Sequence, residues 1–201
     1  LLQDPLAVEK LLSLLQEEDH WLRLNAVRLL CDLCVNRPDM LGESVTQIDA
    51  GVMRLMDVLG DQREEVRNEL LLLLISLTKH SREIQNFCAF NEVYAKFYDI
   101  MKDEAMSGPI VVDCLQIIEN TLTDNILTCK MFATTACCAG IVQFLSLESL
   151  LQEVPREALH SQSLLEKSNF SHALRIFSAL LAGVRCVLPV SNNFGTLLVL
   201  I

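Results

Sequence analysis

The chain has 201 residues, 51% of them hydrophobic and only 5% aromatic, with 7 glycines and 5 prolines. It can bury a large core and has few turn residues for a sheet protein, which favours an all-α architecture. Acids outnumber bases 26 to 16, for a formal net charge of −10. That balance excludes a phosphate-backbone binder, whose affinity comes from Lys and Arg displacing counterions. It also sets the chain against an anionic leaflet, so any membrane association is expected to be indirect, through protein partners.

Asp4-Pro5 reads as a helix cap followed by proline at the first helical position, and Val8, Leu11, Leu12, Leu14 and Leu15 mark the face of the helix that follows. Gln16 to Asp19 stops it. A second helix, from about His20 to Cys34, carries Leu22, Ala26, Leu29, Leu30 and Leu33 at spacings of three and four and ends near Pro38. A short helix runs to Asp49-Ala50-Gly51. The next unit starts with Val52, Leu55, Met56 and Leu59, turns at Gly60-Asp61, and re-enters helix from Arg63 to Lys79, with a last helix from Arg82 to Phe90. A third unit opens near Glu92, breaks across Lys102 to Pro109 and resumes from Ile110 to Leu122, and a fourth is expected after an Ala139-Gly140 stop. Glu148 to Asn169 is less regular, His172 to Val187 reads as one more buried helix, and Thr196 to Ile201 is an apolar string. The latter suggests a piece of a longer chain, because a terminal repeat needs a polar cap.

Leu22-Arg23 superposes on Val66-Arg67 at an offset of 44, and Leu33 falls on Leu77 at the same offset. A period of this length is the mark of stacked helical repeats in which each unit buries its apolar faces on its neighbours. The expected fold is therefore an all-α, armadillo/HEAT-like right-handed α-solenoid. It would form a single domain over 1–201, with repeats at about 5–50, 51–91, 92–139 and 140–201.

The eight cysteines lie in apolar helical patterns, which suits free buried thiols in a reducing compartment. Cys31 and Cys34 have the spacing of half a zinc or redox site, but no second pair accompanies them, and Cys137 and Cys138 point about 100° apart on a helix. All are read as packing residues, with no metal expected. His20, His80, His160 and His172 are scattered without a catalytic partner at recognisable spacing and are expected at the surface or at helix ends. No phosphate-binding glycine loop and no HExxH motif occurs, so neither catalytic nor cofactor-binding residues are assigned and no enzyme is expected. The longest apolar run, Leu70 to Leu77, is too short to span a membrane, and the first residues lack the features of a secretory signal. A cytoplasmic protein is expected. The acidic turns Gln16 to Asp19, Asp61 to Glu65 and Lys102 to Glu104 fall between the helices of their repeats, either as solvated turns or as an acidic ridge for a partner.

The hydrophobic-Arg pairs, with the Ala-Gly or Asn-Glu step before each new unit, are similar to those of armadillo repeats. More specifically, Gly51 to Leu59, Arg63 to Glu69, Glu83 to Asn91 and Ile110 to Leu115 resemble, in order and spacing, the globular head of the general vesicular transport factors, a Golgi vesicle-tethering family. The resemblance extends from about Val8 to Leu145. It implies a non-enzymatic head, working between endoplasmic reticulum and Golgi and within the Golgi, that binds a Rab-type GTPase, SNAREs and subunits of Golgi tethering complexes. It further implies a homodimer in the full-length protein and peripheral association with Golgi and vesicle membranes. The best-matched surface residues, Arg63, Glu64, Arg67 and Asn68, are the first candidates for partner binding. In peptide-binding armadillo proteins a column of asparagines holds the partner's backbone, whereas the equivalent positions here are Asp32, Ser76 and Thr121, which favours broad protein surfaces over a peptide groove. An armadillo-type adaptor for other protein partners is the alternative, and an exchange factor on a helical scaffold a more distant one.

Overall fold

The computed structural model describes residues 5–106, 108–145 and 159–185, and among these every regular element is a helix. The residues group into two compact units, Leu1–Lys96 and Phe97–Ile201.

In the first unit, α1 (Pro5–Leu14) is followed by α2 (His20–Asn36), α3 (Pro38–Gln47), α4 (Gly51–Asp57) with a 3-10 turn at Val58–Gly60, α5 (Glu64–His80) and α6 (Arg82–Phe90). The Asp19 carboxylate caps α2 by accepting from the Trp21 amide at 2.9 Å, and Pro38 ends it by excluding helical backbone at Arg37 (φ −149°, ψ 70°). Glu64 and Glu65 lie in the first turn of α5 and Lys79 and His80 in its last, each complementing the helix dipole. The long helices α2 and α5 pack on each other, with α1 against α2 and α3 against both. Val8, Leu12, Val27, Leu30, Leu41, Val66, Leu70, Leu74, Leu77 and Ile84 are fully buried between them. Each such side chain contributes about 1.5–3 kcal/mol over leaving it in water. The steps into α4 and into the next helix pass through left-handed backbone at Ala50 (φ 53°) and Glu92 (φ 56°), where the sequence has its Ala-Gly and Asn-Glu pairs.

In the second unit, α7 (Val93–Asp103), which begins just before it, is followed by α8 (Pro109–Leu122), α9 (Ile126–Phe132), α10 (Ala136–Ile141) with a 3-10 turn at Val142–Leu145, and α11 (Leu159–Arg185). The long α11 packs along α8 and also touches α9 and the 3-10 turn. Phe97, Met101, Val111, Leu115, Ile118, Phe132, Ala173 and Ile176 fill the core.

One elbow recurs in both units. Ser81 caps α6 and Asn125 caps α9, 44 positions apart. A side chain from the following helix donates back to the end of the preceding one: Gln85 Nε2 to the Thr78 carbonyl at 2.7 Å, Thr128 Oγ1 to the Thr121 carbonyl at 2.6 Å. These bonds satisfy carbonyls that a helix end leaves orphaned.

Three expectations need correction. Ala139-Gly140 does not stop a helix: α10 runs through it to Ile141. Glycine serves close approach there, because a Cβ at Gly140 would overlap the ring of Tyr98. The last helix begins at Leu159, well before His172, and packs along α8. His172 is neither at the surface nor at a helix end. It is buried in mid-helix, with Nδ1 2.7 Å from Glu119 Oε2, which also accepts from Arg175 Nε at 3.0 Å. His80 does close α5, 3.4 Å from Asp39, and His20 opens α2. The apolar string 196–201 and the stretch 148–158 lie outside the described residues.

Candidate partner-binding surface

Arg63, Glu64, Arg67 and Asn68 fall together on the first turns of α5. Arg63 occupies the cap position with extended backbone (φ −94°, ψ 114°) but lends no side-chain cap. The cap is supplied by Asp61, whose Oδ1 accepts from the Arg63 amide at 2.9 Å. Arg63 and Glu64 are exposed, and neither forms an ion pair among the described residues. Arg67 and Asn68, one turn on, are half-buried. Arg67 is turned inward, its Nη1 donating to the Asp61 carbonyl at 2.8 Å. An open edge of Arg63 and Glu64 therefore stands on a base that Arg67 fixes.

Asp61 is the centre of this base. Its side chain is only 4% exposed, and Arg23 reaches it from α2 with Nε at 2.6 Å and Nη2 at 3.1 Å. Burial alone would raise the Asp61 carboxyl. The Arg23 guanidinium, the Arg63 amide and the charge of Arg67 act the other way and hold it below the usual carboxylate range. The Arg23 Nη1 also donates to the carbonyls of Glu17 and Glu18, at 2.7 and 2.8 Å. Arg23 to Glu17 and Arg67 to Asp61 are thus the same bond 44 residues apart: an arginine in the second turn of a long helix clasps the carbonyl six residues before it. The hydrophobic-Arg pair was visible in the sequence. Its acceptor was not, because the acceptor is a backbone carbonyl and any residue type can supply one.

Of the expected acidic ridge, Asp61 is withdrawn into this clasp, while Glu17, Glu18, Asp19, Glu64 and Glu65 are exposed. At the positions of the asparagine column, Asp32 is exposed, Ser76 is half-buried, and Thr121 is buried with its hydroxyl donating to the Ile118 carbonyl at 2.8 Å. The thiols of Cys31 and Cys34 are raised, chiefly by burial, Cys31 to about 12. No single helix among the described residues is long and apolar enough to cross a membrane.

Stacked helical hairpins with an exposed charged edge define the class: an all-α, armadillo-like solenoid. The crystal structure of Uso1-2 matches with a TM-score of 0.78 at 22% identity, over 90% of this chain and 26% of that one. An engineered protein matches with a TM-score of 0.66 at 14% identity, over 90% and 40%. No family model matches the sequence. The sequence relatives are a golgin candidate and vesicular or intracellular transport proteins. Golgin candidate 6 of Arabidopsis thaliana is 44% identical over 108 residues, 53% of this chain and 12% of that protein. The general vesicular transport factor p115 of Homo sapiens is 41% identical over 124 residues, 59% and 12%. The intracellular protein transport protein USO1 of Saccharomyces cerevisiae is 27% identical over 144 residues, 69% and 8%. The family resemblance drawn from Gly51 to Leu115 is borne out by these relatives. The matched segment spans 12% or less of the length of each.

Proposed function

We propose that this chain is a tethering head that works by binding membrane-traffic proteins, without catalysis, in transport between endoplasmic reticulum and Golgi and within the Golgi. The observation that carries the reading is the identity of 41–44% with a golgin and a vesicular transport factor, over a segment that folds into helical repeats. Repeats of this kind present extended surface. Rab-type GTPases, SNAREs and subunits of Golgi tethering complexes are the partners the reading supplies, reached from the cytoplasmic side and holding the chain at the membrane indirectly. In this reading the full-length protein is a homodimer, and Arg63, Glu64, Arg67 and Asn68 form a partner surface.

The test is capture. Immobilised chain is offered a GTP-locked Rab-type GTPase, isolated SNAREs and tethering-complex subunits, and retention is compared with an Arg63→Glu/Glu64→Lys variant. Retention of at least one partner class, weakened in the variant, supports both function and surface. Retention of none overturns the function, and retention unaffected by the variant moves the surface elsewhere.

A further inference from the structure

The turn between α1 and α2 brings together features that the α5 surface does not include. Glu17, Glu18 and Asp19 are exposed, and Trp21, the chain's single tryptophan, keeps 57% of its surface open. Its ring lies 5.0 Å from that of His20, tilted by 38°. Leu22 and Leu29, also on α2, are both more than two-fifths exposed, with Asn25 and Arg28 exposed beside them.

The turn is also fixed in place. Arg23 clasps the carbonyls of Glu17 and Glu18, and the Asp19 carboxylate accepts from the Trp21 amide. The charge of Arg23 is matched by Asp61, and Arg28, the other arginine of α2, faces Glu69 at 3.5 Å. The carboxylates of Glu17 and Glu18 form no ion pair among the described residues. A rigid backbone therefore presents unmatched negative charge beside an open indole. An ammonium or guanidinium group is drawn by both, to the carboxylates by charge and to the indole by its quadrupole. An aromatic anchor on a pre-ordered backbone is also where binding energy concentrates, since little ordering remains to be done. Anionic surfaces are repelled from the same corner.

We infer that Glu17, Glu18 and Trp21, extended by Leu22 and Leu29, form a docking surface for a basic amphipathic segment of a partner protein. Lys or Arg of that segment faces the carboxylates and the indole, and its apolar side chains lie on the two leucines. The inference rests on reading this chain as a partner-binding head, and it adds the place and the chemistry of one partner.

Because Trp21 is the only tryptophan, its fluorescence reports on this corner directly. The 201-residue chain is titrated with a synthetic amphipathic Lys/Leu peptide and with its Glu/Leu counterpart. The Lys/Leu peptide is expected to shift the emission saturably and the Glu/Leu peptide to leave it unchanged. Glu17→Gln/Glu18→Gln, with circular dichroism unaltered, weakens binding about fivefold or more, whereas Asp49→Asn/Asp57→Asn, exposed carboxylates elsewhere in the same unit, does not. No emission shift, or equal weakening by the two variants, overturns the inference, the latter by showing attraction to net charge alone. Peptide binding that survives a failed capture experiment would remove the tethering reading and keep this surface.

Discussion

Arg23 and Asp61, 38 positions apart in sequence, meet side by side, two guanidinium nitrogens on two carboxylate oxygens at 2.6 and 3.1 Å, and join α2 to the turn before α5. Removing one member of a largely buried pair leaves the other charge uncompensated, so Asp61→Ala is expected to lower stability by about 3 kcal/mol. Arg23→Ala/Asp61→Ala together should cost clearly less than the sum of the single changes. Urea denaturation measures both, and strict additivity would show that the contact carries no coupling.

The same carboxylate sets an acid dependence. Its folded pKa lies below the unfolded value of about 3.9, so its contribution is complete above that pH and is lost as pH falls through the lower, folded value. The stability gap between the natural chain and Asp61→Asn should therefore be level from about pH 6 to pH 5 and close as the solution is taken below about pH 4. A gap that stays open into strong acid would contradict this account.

Two glycines should respond in opposite ways to alanine. A Cβ at Gly51 would overlap the backbone carbonyl oxygen of Val45, which cannot swing aside, so Gly51→Ala should destabilise by about 1–3 kcal/mol despite the better helix propensity of alanine. Gly60 has nothing within 4 Å of such a Cβ, and Gly60→Ala should be neutral or slightly stabilising. Thermal melts of the two variants decide the comparison.

Burial pushes the thiols of Cys88 and Cys137 up to about 12 and raises that of Cys114 as well. At pH 8 these sulfurs are thiols, with almost no thiolate to react. Iodoacetamide should leave all three unmodified in the folded chain and alkylate them in urea, as read by mass spectrometry. Rapid labelling without urea would mean that the core opens readily.

The helices that could be read in the sequence were those whose signals are local. Pro38 after α2 and the apolar rhythm of Leu70 to Leu77 fix their elements with no knowledge of the neighbours. Where a residue serves a distant partner, the local rule misleads. Gly140 resembles a helix stop but makes room for Tyr98, and His172 reads as a polar surface residue but belongs to a buried group completed by Glu119, 53 positions away. The candidate surface was legible to the same degree. The exposure of Arg63 and Glu64 follows from their place at a helix start, whereas the inward turn of Arg67 depends on a carbonyl that sequence does not mark.

The arginine clasp bears on how such a chain could grow. A stretch of 44 residues that includes its arginine carries the fastening for its own turn, as Arg67 does for Asp61. The third unit does without this latch: the position 44 residues after Arg67 is Val111, an apolar side chain buried in the core. The seam still to be fitted is the one that Arg23 makes with the next cassette's acid.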